Sequence, residues 1–282
     1  MGTSDWIKRR VADLDVAARP WAARGPRHAA AYEFLLFGLK EAWACLFGAA
    51  MLSLLMATHL WWPKDAPLAR YDFLFLAALS LQAALLALKL EHWDEAAVIL
   101  VFHVVGTAME LFKTAHGSWV YPEAAVFRIG GVPLFSGFMY ASIGSYIARA
   151  WRIFDLRFTA YPPIWTTWAL ALVAYVNFFS HHYTIDLRWG LFAVSVVLFW
   201  RVRFLFTPLK TPRRIPMLPG LVLVALFVWI AENAGTLAGA WVYPAQRDGW
   251  RMVPFEKIGS WYLLMLLSFV LVSAVRRPVV VN

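Results

Sequence analysis

Residues 116–122 read HGSWVYP, and residues 238–244 read AGAWVYP. The two loops align at an offset of 122 residues, and the match runs well beyond them. Glu110 stands nine residues before Trp119, and Glu232 stands nine before Trp241. Gly117 pairs with Gly239, Tyr121 with Tyr243 and Pro122 with Pro244; after a one-residue gap, Val132-Pro133-Leu134 pairs with Val253-Pro254-Phe255. Upstream, Thr58-His59 pairs with Ser180-His181. A self-match of this reach marks a duplicated unit.

The unit is a membrane unit. The chain of 282 residues is 61% hydrophobic and only 15% charged, where soluble domains carry about a quarter charged residues. Runs at 73–88, 164–180 and 258–275 are nearly free of charge and approach the roughly 17–25 residues that cross a hydrocarbon core. Long runs of Leu, Ala, Val and Phe lack the alternation of a β-barrel. The expectation is an all-α polytopic integral membrane protein with about eight transmembrane helices, centred on 41–62, 73–89, 96–114, 132–149, 163–181, 188–201, 216–236 and 257–275. Four spans per copy keep both copies in one orientation, giving two parallel four-helix repeats at 34–155 and 156–282. Residues 1–33 precede them as a basic, amphipathic segment in which Trp6, Val11, Leu14 and Ala18 recur at helical spacing. No continuous apolar core is present there to make a cleavable signal peptide.

The net charge of +9 does not point to nucleic acid, because Lys and Arg gather between the apolar runs and at the ends. Arg149, Arg152, Arg157, the 201–214 connection and Arg276-Arg277 fall on one side of an eight-span chain, which makes that side and both termini cytoplasmic. The acidic run Glu91, Asp94 and Glu95 breaks the pattern and reads as a solvated turn. Cys45, the one cysteine, excludes disulfides within the chain and thiolate clusters.

In each copy a Glu precedes a Gly-x-Trp-Val-Tyr-Pro loop, with Val-Pro opening the next helix. A carboxyl near a span is expensive and tends to face the bundle interior, so Glu110 and Glu232 are the catalytic candidates. Two carboxyls facing one cavity can split into an acid and a base; the competing reading has them reaching headgroups. Trp119, Tyr121, Trp241 and Tyr243 are candidate substrate contacts, against the default use of such residues at this depth, an aromatic belt. His103 lies two turns before Glu110, about 10.5 Å along the helix, close enough to share a cavity but not a metal ion. His59 and His181, with His182, Asp186 and Arg188, gather at corresponding span ends. The pattern of di-iron bundles is absent, so no metal site is assigned, and no P-loop, G-x-S-x-G or dinucleotide motif occurs.

The segments ELFKTAHGSWVYPE at 110–123 and GVPLFSGFMYASIGSYIARAW at 131–151, with RYDFLFL at 70–76 and KLEHWDE at 89–95, resemble the YoaT-like family of bacterial multi-pass membrane proteins. That resemblance covers nearly everything from residue 35 and implies the bacterial cytoplasmic membrane, with membrane lipids as surroundings. The order Glu, Gly-x-Trp-x-Tyr, Gly-Val-Pro is also similar to membrane-bound carotenoid-biosynthesis proteins of the hydratase type. This second similarity implies protonation of an isoprenoid double bond, with Glu110 and Glu232 as acid and base and the four aromatic residues lining the cavity. Three readings stay open: an intramembrane acid–base enzyme acting on an isoprenoid or other lipid, a small-solute or ion transporter with its site between the repeats, and a non-catalytic lipid-binding or assembly protein. A lipophilic small molecule is the implied partner; no cofactor or oligomeric state is indicated.

Overall fold

A computed structural model describes residues 16, 19–63, 65–209 and 211–281. The surface helix expected from Trp6, Val11, Leu14 and Ala18 lies outside the described residues. The chain begins with α1 (Pro26–Ala44) and α2 (Leu46–Trp61), which meet at Cys45 with a bend of 68°. Then follow α3 (Arg70–Ala87), α4 (Trp93–Ala115), a hairpin of β1 (Arg128–Ile129) and β2 (Val132–Pro133), and α5 (Phe135–Ile153). The rest comprises β3 (Arg157–Thr159), α6 (Ile164–Ser180), α7 (Arg188–Phe199), β4 (Arg203–Phe206), β5 (Arg213–Pro216), α8 (Met217–Leu237) and α9 (Lys257–Val275).

A helix stands at each expected apolar run, yet not every helix qualifies as a span by length and composition. Among the described residues α3, α4, α8 and α9 do, and the bent pair α1–α2 makes a fifth. The chain is therefore a mostly helical membrane protein with four or five candidate spans. Helices α6 and α7 are short. Helix α5 carries Ser, Gly and Arg because it sits inside the molecule, touching α1, α2, α3, α4 and α9, so its composition answers to protein neighbours and not to lipid. Its last turn meets α9, where Trp151 stacks on Phe269 with ring centroids 5.2 Å apart. Outward faces carry Leu100, Val104, Trp165, Leu172, Phe227 and Ile230, all exposed. Such a surface would aggregate in water and suits a hydrocarbon surround.

Three expectations need correction. The all-α reading is amended by two small antiparallel sheets, β1–β2 and β3–β4–β5; the second gathers Phe158, Phe204 and Phe206 where a plain connection was expected. Pro133 does not open a helix: it lies in β2 opposite Arg128, where its missing N–H costs no ladder bond. The chain closes the hairpin through Leu134 N–H donating to the Phe127 carbonyl at 2.9 Å. Pro254 likewise precedes α9 by three residues. Finally, the 91–95 run is no solvated turn. Glu91 and Glu95 are buried because the C-terminal turn of α5 and the end of α9 bring arginines onto them. Arg149 meets Glu91 at 3.2 Å, Arg152 meets Glu95 at 2.7 Å, and Arg276 meets Asp94 at 2.5 Å. Charges withdrawn from water persist only when paired in this way.

Candidate functional site

Helices α4 and α8 end alike. Gly117 and Gly239 adopt φ of +68° and +64°, the left-handed conformation that glycine takes without steric cost. In the first copy Ser118 N–H donates to Lys113 O and Gly117 N–H to Thr114 O, both at 3.0 Å. In the second, Ala240 N–H donates to Gly235 O and Gly239 N–H to Thr236 O, again at 3.0 Å. This is the paired 6→1 and 5→2 closure of a Schellman end. The chain leaving each helix then runs beside the other: Val120 and Val242 exchange both backbone hydrogen bonds, at 3.0 and 2.9 Å, as an antiparallel bridge.

The bridge turns the next residue of each loop back onto its own helix. Tyr121 O–H donates to Glu110 at 2.6 Å, and Tyr243 O–H donates to Glu232 at 2.5 Å. Glu110 also accepts from Trp119 Nε1 at 2.6 Å and from Tyr140 O–H at 2.8 Å. Glu232 accepts from Trp261 Nε1 at 2.7 Å. The two carboxyls are 3% and 4% exposed, so neither reaches outward to headgroups. Burial and the adjacent carboxylate hold the Tyr121 and Tyr243 hydroxyls well above the usual phenol range, and both remain donors. Tyr140 can reach Glu110 because α5 lies close on α4 at Gly106, where an added Cβ would come within 2.6 Å of the Tyr140 side chain.

The aromatic residues do not repeat their roles. Trp119 bonds its glutamate, whereas the ring of Trp241 covers Gly235. Tyr140 and Trp261 were missed from sequence, although the one-residue gap that aligns Val132 with Val253 also aligns this pair. Lys257 was missed too. Its Nζ lies 4.5 Å from the Tyr243 ring centroid and 5.7 Å from that of Trp119, and it interacts electrostatically with both Glu232 and Glu110.

Arg70, at the start of α3, ties the first half to the second. Buried, it donates to Ala238 O at 3.0 Å and Gly239 O at 3.2 Å while pairing with Glu123 at 2.7 Å. Its neighbour Tyr71 donates to Ala240 O at 3.0 Å. Asp72 accepts from Val126 N–H and Phe127 N–H at 2.9 and 2.8 Å. The RYD triplet thus holds both loops in place.

Beside these loops lies a cavity of about 1270 Å³, larger than the roughly 300–1,000 Å³ of ordinary small-molecule pockets. Glu110, Glu232, Trp119, Trp241, Tyr243 and Lys257 line one end, and Phe204 and Phe206 the other. Phe34 and Phe227, 73% and 70% exposed, lie on its margin between α1 and α8, so it opens towards the lipid-facing surface. His181 also lines it; Tyr121, His59 and His103 do not. His59 is exposed, and His103 packs on the Phe138 ring at 4.4 Å. Among the described residues no three His, Cys, Asp or Glu side chains are arranged to hold a metal ion.

Fold and site together define a helical membrane protein built around a large apolar cavity with buried carboxyls at one end. The chain belongs to the family described as "Protein of unknown function (DUF817)", whose profile matches residues 33–269. It is 39% identical over 241 residues to the Uncharacterized protein YoaT of Bacillus subtilis (strain 168), spanning 86% of this chain and 90% of that one. Among solved structures it is similar to a mycobacterial Insig homolog, MvINS from Mycobacterium vanbaalenii, at 14% identity and a TM-score of 0.47, over 67% of this chain and 97% of that chain.

Proposed function

We propose that the chain is an intramembrane acid–base enzyme acting on an isoprenoid or a similar lipid, built as two parallel four-helix repeats at 34–155 and 156–282 that cross the bacterial cytoplasmic membrane eight times with both termini inside. The observation that carries the reading is the pair Glu110 and Glu232, equivalent in the repeat, both buried and both lining one apolar cavity. The antiparallel bridge of Val120 with Val242, residues at the same offset as the glutamates, supports a twofold relation between the halves.

The roles divide by hydrogen bonding. A carboxylate oxygen offers two lone-pair sites. Both sites on Glu110 Oε2 are taken by Trp119 and Tyr121, whereas each oxygen of Glu232 accepts a single protein donor. Glu232 is the group that transfers the proton to a substrate double bond. Aromatic faces in the cavity stabilise the resulting carbocation, and loss of a proton from the neighbouring carbon to a carboxylate completes an isomerisation. Glu110, with Lys257 interacting electrostatically with both carboxyls, holds the charge balance as the proton moves. The test is exchange in D2O. Purified protein incubated with long-chain isoprenoids should place deuterium at the reacting carbon, and Glu232→Gln should abolish this; a wild type that incorporates none across chains with double bonds at different positions overturns the reading.

One observation favours a transporter instead. Helices α1 and α2 are broken at Cys45 with a 68° bend beside the cavity, and discontinuous helices recur at transport sites. Solute flux into liposomes carrying the protein, abolished by Glu232→Gln, would support it.

A further inference from the structure

The cations around the loop end of the cavity differ in how they are matched. Arg188 pairs with Asp186 at 3.0 Å, and Lys257 interacts electrostatically with both Glu232 and Glu110. Lys113, on the last turn of α4 and 6% exposed, has no carboxylate within ion-pair distance among the described residues. Its Nζ instead meets His182 Nε2 at 2.8 Å and His181 Nε2 at 3.3 Å, over the ring of Phe178 at 4.4 Å. An ammonium only donates, so both imidazole Nε2 atoms accept and the ring protons sit on Nδ1. His181 Nδ1 accordingly donates to Asn177 O at 2.8 Å. His182, on the exposed rim, keeps its Nδ1–H free of any protein acceptor among the described residues. The ammonium retains one unused donor. Lys113, His181 and His182 all line the cavity. A buried cation that feels only Asp186 as counter-charge, a carboxylate already paired with Arg188, is costly, and the spare Lys113 N–H together with the His182 Nδ1–H at one mouth present what an anion would accept.

The remainder of the cavity settles the shape of the ligand. Beyond this end the lining is largely apolar, including Met51, Leu55, Phe204 and Phe206, and it reaches the lipid-facing surface beside Phe34 and Phe227. We infer that Lys113 and His182, with His181 holding the ammonium in place, form a cradle for the acidic head of a single-chain amphiphile, a carboxylate or phosphate monoester, whose tail enters from the bilayer and fills the cavity. This deepens the acid–base reading, on which it rests for the choice of cavity, by giving its lipid a charged head held apart from Glu232.

The experiment compares binding of palmitate and geranylgeranyl phosphate with that of hexadecanol and geranylgeraniol to the purified full chain in detergent. Wild type should prefer each charged probe over its matched alcohol by about tenfold or more, the scale of a charge-assisted hydrogen bond. The stronger preference tells a carboxylate head from a phosphate. Lys113→Met should erase the preference while leaving alcohol binding intact, and Lys113→Arg should retain it. Equal affinity for acid and alcohol in wild type, or a preference that survives Lys113→Met, overturns the cradle. Should Lys113→Met fail to fold, His182→Asn on the exposed rim decides: a reduced preference supports the cradle and an unchanged one overturns it. Glu232→Gln separates the two readings. A charge preference without deuterium exchange would leave the cradle standing and the acid–base chemistry refuted, and exchange without preference would do the reverse.

Discussion

The two glutamate pockets are alike in backbone and unlike in side chains. Each lies on a helix closed by the same glycine turn, and each receives the tyrosine of its own loop. Glu110 then gains Trp119 and Tyr140, whereas Glu232 gains Trp261 alone, because Trp241 is spent covering Gly235. The RYD clamp is one-sided as well: Arg70 and Tyr71 of the first half grip the carbonyls of the second half's turn. Two helix ends of like backbone thus carry a more occupied pocket at Glu110 and a less occupied one at Glu232.

That contrast can be broken or sharpened by measurement. The largest effect expected is on turnover: Glu232→Gln should lower deuterium incorporation by about a hundredfold or more, the low end of what general acid–base catalysis contributes. Glu110→Gln should lower it less; the opposite order would exchange the two roles. Next comes Arg70→Ala, which leaves two buried carbonyls and Glu123 without their donor. It should cost about 2–3 kcal/mol of stability, read as a fall in the thermal midpoint in detergent. Glu110→Gln turns an amide N–H₂ towards neighbours that themselves donate, and should destabilise by about 1–3 kcal/mol. Glu232→Gln, with fewer donors to offend, should cost less, and equal losses would deny the difference in occupancy. The smallest effect tests the shared frame. Gly117→Ala and Gly239→Ala each meet open space and suffer only the left-handed backbone, so each should cost about 1 kcal/mol and the two values should agree. A large disparity would mean that the turns are not equivalent.

Much of the fold and part of the site could be read in the sequence. The helices fall where uninterrupted apolar runs are long enough, and the repeated Gly-x-Trp-Val-Tyr-Pro pointed to the loops that meet at Val120 and Val242. Glu110, Glu232, Trp119, Trp241, Tyr243 and His181 converge on the cavity. Composition misled where burial is by protein instead of lipid: α5 is too polar to pass as a span, and Glu91 and Glu95 look solvated until Arg149, Arg152 and Arg276 arrive from distant helices. Helical spacing placed His103 near Glu110 along the axis, but spacing alone does not say which face a neighbouring helix covers, and Phe138 takes that face. Lys113 and Lys257 sat in plain view at helix ends, where a lysine ordinarily means a headgroup contact.

The break between α1 and α2 has a practical side. Cys45 stands at the bend, is exposed, and lines the cavity, and the chain has no second cysteine. This chain therefore carries a single labelling handle on the wall of its own chamber. The rate at which a thiol reagent attaches there reports whether the chamber is filled, so occupancy can be followed in unaltered protein before any ligand has been named.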